Sequence, residues 1–238
     1  MKKAIVIGAT SGIGKSIADM FVRQHYQVGI AGRRLDLLEA AKDRCPDNIV
    51  YRQLDVQNSA SIEPVCNELV QELGGLDVLV ISAGIGEANK HLDSSIENKV
   101  IATNIQGFTG VATWGMRYFK NQGYGHLVNI SSIAGLRGNG LAPSYNATKA
   151  FQINYLEGLR LNAVKSGTQV YVTDVRPGFV DTDMAKGDGL FWVAPVEKAA
   201  QQIVEAINSR KQVVYITRRW NIIALLMRVL PYSLWKRM

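Results

Sequence analysis

The order of hydrophobic patterns predicts an α/β fold: a doubly wound parallel sheet of about seven strands with helices on both faces. Three observations carry this expectation. Apolar runs of strand length alternate with stretches of helical periodicity from Lys3 to Ile216. A glycine-rich turn stands between the first such strand and the first such helix. Every chemically suggestive loop follows the C-terminal end of a strand, where such sheets place their sites.

The first strand, Lys3 to Gly8, passes into the turn Gly8-Ala-Thr10-Ser11-Gly12-Ile13-Gly14. A helix with Ile17, Ala18, Phe21 and Val22 on its inner face follows. In this layout backbone amides at a helix N-terminus receive a phosphate, which nominates Gly8, Thr10, Ser11, Gly12, Ile13 and Gly14 as cofactor-binding residues. The spacing is G-x-x-x-G-x-G rather than the commoner G-x-G-x-x-G. The second strand, Gln27 to Ala31, ends in Gly32-Arg33-Arg34. An acid at this point holds the ribose hydroxyl of NAD, whereas an arginine accommodates the 2′-phosphate of NADP. Two arginines and no acid favour NADP(H), with NAD(H) as the alternative; solvated turn residues are the competing explanation. Asp36 reads as the opening of the next helix.

The third strand, Asn48 to Leu54, ends in Asp55-Val56, where a carboxylate would meet an adenine amine. A helix over 59–73 leads to the fourth strand, Asp77 to Ser82, which ends in Ala83-Gly84. The segment 92–122 is mainly helical. Asn104 falls inside it, where an asparagine is disfavoured and usually solvated.

The fifth apolar run, from Gly125, stops at Ser131-Ser132, and a loop with Gly135, Gly138, Gly140 and Pro143 follows. One long helix is expected over 144–166, with Ser144 as its cap and Ala147, Ala150 and Phe151 on its inner face. Tyr145 and Lys149 are then i and i+4 and project from one helical face. The sixth strand, Gln169 to Asp174, ends in Arg176-Pro177-Gly178-Phe-Val180-Asp-Thr182; a helix over 195–208 and a strand from Gln212 to Ile216 complete the alternation.

Ser132, Tyr145 and Lys149 have the outline of an acid/base machine. The Tyr-x-x-x-Lys spacing alone proves little, since 9 tyrosines and 13 lysines in 238 residues give roughly half a match by chance. A second match, Tyr232 to Lys236, does occur. Thirteen residues before Tyr145 stands Ser132, but thirteen before Tyr232 stands Arg219. Only the first pair follows a strand and a glycine loop. A phenol titrates near ~10, so about 3 units must be found for work near neutrality. An ammonium about 6 Å away supplies about 3 kcal/mol at an effective dielectric of ~20, and an oxidised nicotinamide ring would supply the rest. Ser132 would hydrogen-bond the substrate oxygen where charge develops. The bland alternative is a capped helix with a surface tyrosine and a surface lysine.

Composition bounds the rest. The 238 residues suffice for one domain with a sizeable core, and 47% apolar with 20% charged residues describes an ordinary globular protein. Cys45 and Cys66, without paired spacing, argue for a reducing cytoplasm and against a disulfide framework or a metal site. The start Met-Lys-Lys-Ala-Ile-Val-Ile-Gly-Ala imitates a signal peptide faintly, but its apolar run is too short. The net charge of +7 is local. Residues 1–205 hold 20 bases against all 20 acids, while the last 33 hold Arg210, Lys211, Arg218, Arg219, Arg228, Lys236, Arg237 and no acid. A nucleic-acid protein would show its bases across the body, so that partner class is discounted.

With Gly8-x3-Gly12-x-Gly14, Asp55, Asn104, Ser132, Tyr145, Lys149 and Pro177-Gly178 in this order, the sequence resembles the short-chain dehydrogenase/reductase family from residue 3 to about 182. The resemblance implies a Rossmann fold with Tyr145 as proton donor or acceptor and Ser132 positioning the substrate carbonyl or hydroxyl. It implies that Lys149 holds the nicotinamide ribose and lowers the Tyr145 pKa, and that Asn104 supports a water relay to Lys149. By the same resemblance the cofactor contacts Ala83, Gly84, Pro177, Gly178, Val180 and Thr182, and the loop from Thr182 to Pro195 covers the substrate. Met184, Leu190, Phe191 and Trp192 in that loop suggest an apolar ligand. A homodimer through helices 99–122 and 144–166 rests on the resemblance alone. The Ile81-Ser82-Ala83-Gly84 sequence departs from the family's frequent Asn-Asn-Ala-Gly.

The ending common in tetrameric members is also absent. Residues 1–217 read as the nucleotide-binding and catalytic domain, and 218–238 as a basic amphipathic extension. Trp220, Ile223, Met227 and Leu230 share one helical face, with Asn221 and Arg228 on the other. Such a helix either lies on a membrane surface or docks on its own domain or a sister subunit. The whole reads as a cytoplasmic NADP(H)-dependent carbonyl reductase or alcohol dehydrogenase acting on a small molecule, with peripheral membrane contact through the tail kept open. A catalytically idle NADP(H) sensor docking through its tail is the alternative from another class. A nucleotide-sugar epimerase would need a larger region after Pro177-Gly178.

Overall fold

The computed structural model describes residues 1–185 and 190–236. Seven parallel strands, β1 (Lys3–Ile7), β2 (Gln27–Gly32), β3 (Ile49–Gln53), β4 (Val78–Ile81), β5 (Tyr124–Ile130), β6 (Gln169–Pro177) and β7 (Val213–Ile216), lie in the order β3-β2-β1-β4-β5-β6-β7. Winding runs one way from β1 to β3 and the other from β4 to β7. The reversal between β1 and β4 opens a crevice beyond their C-terminal ends.

Alternation along β1 shows how the layers are made. Val6 packs with Ile17 and Phe21 of α1 (Gly12–Arg23), Leu38 of α2 (Leu35–Arg44), and Val204 and Ile207 of α7 (Val196–Asn208). Ile5 and Ile7 face Leu69 of α3 (Ser59–Leu73), Phe108 and Phe119 of α5 (Phe108–Gln122), and Leu156 of α6 (Pro143–Lys165). Burial of large side chains on both faces drives the two-sided wrapping, at roughly 25 cal/mol per Å² of apolar surface removed from water.

Two local expectations need correction. Ser144 does not cap α6: Ala142 holds the cap position and Pro143 the first helical position, where a residue without an amide proton costs nothing. The Ser144 hydroxyl is buried without a hydrogen-bond partner among the described residues. The segment around Asn104 is not one regular helix either. It runs as α4 (Ser94–Ile101), a π-helical turn (Ala102–Gly107) and α5, and Asn104 in the turn is wholly buried rather than solvated. Such turns free main-chain groups from the regular ladder.

The C-terminal segment forms α8 (Trp220–Val229) and a short α9 (Tyr232–Trp235). Trp220 and Ala224 are buried against Ile133, with Leu136, Phe179, Ile223 and Met227 around them. The face bearing Trp220, Ile223, Met227 and Leu230 therefore docks on its own domain, which overturns the reading that would put that face into lipid. Residues 186–189 of the loop expected over the substrate, and 237–238 of the tail, lie outside the described residues.

Candidate active site

The loops after β1, β2, β3, β4, β5 and β6 enclose a cleft of about 1500 Å³. Gly8, at φ +89°, turns the chain out of β1. A Cβ there would stand 2.5 Å from the Ala83 nitrogen, so only glycine lets the β1 and β4 ends close up. Gly14 is not on the cleft wall, whereas Gly8, Thr10, Ser11, Gly12 and Ile13 are. A Cβ on Gly14 would meet the Gly8 carbonyl oxygen at 2.3 Å, so Gly14 seats the helix on the turn. Ser11 holds the N-cap position of α1 without a side-chain cap, and the first turn carries no acid. Its amides are left for an anion.

The two arginines divide the work of the β2 end. Arg34 Nη2 donates to Thr10 Oγ1 and Ser11 Oγ, both at 2.7 Å. The guanidinium thereby staples the glycine turn. Arg33 lines the cleft with its side chain exposed and free of hydrogen bonds among the described residues, while its carbonyl accepts from Gln53 Nε2. Asp55, Val56, Ala83 and Gly84 continue the same wall, and the Asp55 carboxylate accepts from the Gln57 amide at 3.0 Å. A glycine cradle, free helix amides and an unpaired guanidinium fit a phosphorylated dinucleotide.

Further along the cleft stand Ser132, Tyr145 and Lys149. Ser132 stands two residues beyond the end of β5 and its Oγ accepts from the Ala134 amide at 3.1 Å, which fixes the start of a short 3₁₀ turn, Ile133–Leu136. Burial raises the Tyr145 phenol above its ordinary value, and a hydrogen bond with Ser132 acts in the opposite direction. The Lys149 ammonium lies 5.8 Å from the Tyr145 ring centre. It donates to the Ile130 carbonyl at 3.0 Å and to Gln152 Oε1 at 3.1 Å. Burial lowers its pKa to about 8, with Asp174 holding it up. Asp174 is itself fully buried, bonded by Arg176 Nε at 2.6 Å and by the Ser131 hydroxyl.

Asn104 is not on the cleft wall. Its Nδ2 donates to the Ile85 carbonyl at 2.8 Å and to Thr148 Oγ1 at 3.1 Å, and its Oδ1 accepts from the Ile85 amide at 2.9 Å. It clamps the loop after β4. Its main-chain carbonyl accepts from Gln152 Nε2 at 2.8 Å, and the same side-chain amide accepts from Lys149. Sequence reading missed Gln152. The available signal was a polar amide at i+3 from Lys149, on the same face of a helix.

The far wall holds Pro177, Gly178, Val180 and Thr182, with Phe191 and Trp220 beyond. A Cβ on Gly178 would meet the Trp220 ring at 2.0 Å, and Phe179 and Phe191 pack on the same indole at 5.4 and 5.1 Å between ring centres. Arg137 donates to the carbonyls of Met227 and Leu230 at the end of α8, and Trp235 Nε1 donates to the Gly138 carbonyl at 3.2 Å. The tail roofs the cleft.

Known proteins place this architecture. The family profile described as short chain dehydrogenase matches residues 2–190. The NADP-dependent 3-hydroxy acid dehydrogenase YdfG of Escherichia coli O6:H1 is 37% identical over 180 residues, 74% of this chain and 71% of that protein. An uncharacterised oxidoreductase of Staphylococcus haemolyticus is 33% identical over 77% of this chain and 80% of its own. Among solved structures, ElxO with NADP bound superposes with a TM-score of 0.82 at 26% identity, over 93% of this chain and 100% of that one. The closed form of serine dehydrogenase complexed with NADP+ gives 0.81 at 29%, over 90% and 94%. On the profile match and the level of identity, the chain belongs to the short-chain dehydrogenase family.

Proposed function

We propose that this chain is an NADP(H)-dependent oxidoreductase that reduces the carbonyl group of a small, apolar molecule. The observation that carries the reading is the gathering of Ser132, Tyr145 and Lys149 on one cleft whose other end holds the glycine turn and the unpaired Arg33 guanidinium. Related proteins named as NADP-dependent or solved with NADP support the same cofactor. When bound, NADPH supplies the hydride. Arg33 receives the 2′-phosphate, and the amides of the turn from Thr10 to Ile13 receive the pyrophosphate. Asp55 meets the adenine end. Ser132 holds the carbonyl oxygen of the substrate, and Tyr145 gives that oxygen its proton. Burial holds this phenol above its ordinary pKa, with the Ser132 hydrogen bond acting in the opposite direction. Lys149 holds the ribose side and keeps a positive charge beside the phenol.

The substrate end of the cleft favours an apolar chain. Met184, Phe191, Ile223, Met227 and Leu230 line it, and the guanidinium of Arg137 on the same wall is spent on main-chain carbonyls. A homodimer through α5 and α6 is part of the same proposal, supported by Leu161 and Val164, 59% and 78% exposed on α6; sizing chromatography checks it. The functional experiment is calorimetric titration with NADPH and NADH, followed by NADPH oxidation against 2-alkanones and aldehydes of increasing chain length and against 3-oxo acids. The reading expects NADPH preference and turnover that improves with chain length. NADPH binding without turnover on any carbonyl would instead favour an idle nucleotide sensor.

A further inference from the structure

We propose that the outward face of α8 and α9 seats on an anionic lipid surface, so that the cleft takes its carbonyl substrate from that surface. The second half of this inference rests on the reductase reading above; the first half does not. α8 is apolar on two sides. Trp220 and Ala224 are buried on the domain, but Ile222, Leu225 and Val229 are 61%, 62% and 66% exposed. At 100° per residue these three fall within about 60° of one another, a stripe rather than scattered contacts. α9 continues it with Tyr232 and Leu234, 72% and 50% exposed. Contiguous apolar surface of this kind marks an interaction site.

Charge decides what covers it. Arg218 and Arg219 precede α8, Arg228 lies in its last turn and Lys236 follows α9, all exposed, and no acid occurs after Glu205. Bases rimming an apolar stripe complement anionic headgroups over an acyl boundary. A two-fold contact with a second copy would set this basic rim against itself. Among the described residues no helix is long and apolar enough to cross a membrane, so the helix lies along the surface. The same elements also form the cleft mouth: Leu226, Leu230, Tyr232 and Trp235 line it. A lipid-borne carbonyl compound would pass from the surface into the cleft beneath α8.

The test uses the full chain with vesicles of phosphatidylcholine, with and without phosphatidylglycerol. The expected result is co-sedimentation at least about tenfold stronger with the anionic vesicles, lost at high salt. Leu225→Asp with Val229→Asp, neither of which lines the cleft, should abolish sedimentation while leaving NADPH binding and reduction of butanal in buffer unchanged. Decanal dissolved in anionic vesicles should be reduced several-fold faster than in neutral ones by the wild type, and equally by the variant. A wild type that ignores both vesicles, or a variant that sediments like wild type, overturns the docking. So does a dimer that the double variant dissociates, since the face would then be a subunit contact. Vesicle binding with equal decanal rates overturns substrate delivery alone. Vesicle binding by a protein inert toward every carbonyl refutes the reductase reading and leaves the docking standing.

Discussion

Gln152 Oε1 accepts from Lys149 Nζ at 3.1 Å while Nε2 of the same amide donates to the Asn104 carbonyl at 2.8 Å. The orientation of the amide is forced, because an ammonium only donates and a carbonyl only accepts. Asn129 Nδ2 also donates to Gln152 Oε1, at 3.2 Å. This amide, 1% exposed, thus bridges the Asn104 main chain to Lys149 directly. It fixes the Lys149 ammonium from one side.

Gln152 accordingly favours the charged form of Lys149. The other ionisable groups about this ammonium are Tyr145 on its own helix, and Asp174 with its partner Arg176 on β6. Gln152→Leu should lower the Lys149 pKa by about one unit from about 8, since a hydrogen bond to a charged group contributes about 1.5–3 kcal/mol. Gln152→Glu should raise it. A ¹³C NMR titration of the lysine side chains reads both shifts; a pKa unmoved by either variant would reduce Gln152 to packing.

Arg33 and Arg34 should separate in cofactor binding. Arg33→Ala removes a guanidinium with no other partner among the described residues, and is expected to weaken NADPH by about tenfold or more with NADH little changed. Arg34→Ala frees the Thr10 and Ser11 hydroxyls and loosens the turn both cofactors share. Calorimetry should therefore show losses for NADPH and NADH alike. Equal losses from Arg33→Ala would remove the 2′-phosphate role.

Gly178 and Trp220 should be energetically coupled. Gly178→Ala places a methyl 2.0 Å from the indole and should cost about 1–3 kcal/mol in urea unfolding. Trp220→Ala should cost about 3–5 kcal/mol. The double variant is expected to fall close to Trp220→Ala alone, because the clash has gone. Simple additivity would contradict the contact.

His126 gives stability a pH dependence away from the cleft. Burial and the nearby Arg210 lower its pKa to about 4, and its Nε2 pairs with Thr173 Oγ1 at 2.7 Å. Between about 4 and the ordinary value of 6.5 the unfolded chain binds a proton here that the native state refuses. Stability therefore rises with pH across that window, by up to about 3 kcal/mol from this group. Urea melts at pH 7.5 and 5 should show a smaller difference in His126→Gln than in wild type.

The strand and helix order was legible because each element carries its own periodicity and the central strands β1, β2 and β4 are buried on both faces. Ser132, Tyr145 and Lys149 were legible as a set because one strand end and one helical turn position them by local geometry. What escaped depends on partners distant in sequence. Nothing near Gly178 announces Trp220, and nothing near Asn104 announces Gln152. Pairing of Arg34 with Thr10 and Ser11 likewise needs β1 and β2 side by side. Ser144 was misread because serine caps helices often, yet Pro143 beside it sets the start more strongly.

The central claim is that Tyr145 delivers the proton to a carbonyl oxygen, and Tyr145→Phe tests it most directly. Turnover of the best carbonyl found for the wild type should be measured with NADPH affinity on the same preparation. The account predicts kcat lower by at least about a thousandfold with the NADPH dissociation constant within a few-fold of wild type. Substantial turnover by Tyr145→Phe at unchanged NADPH affinity would contradict it.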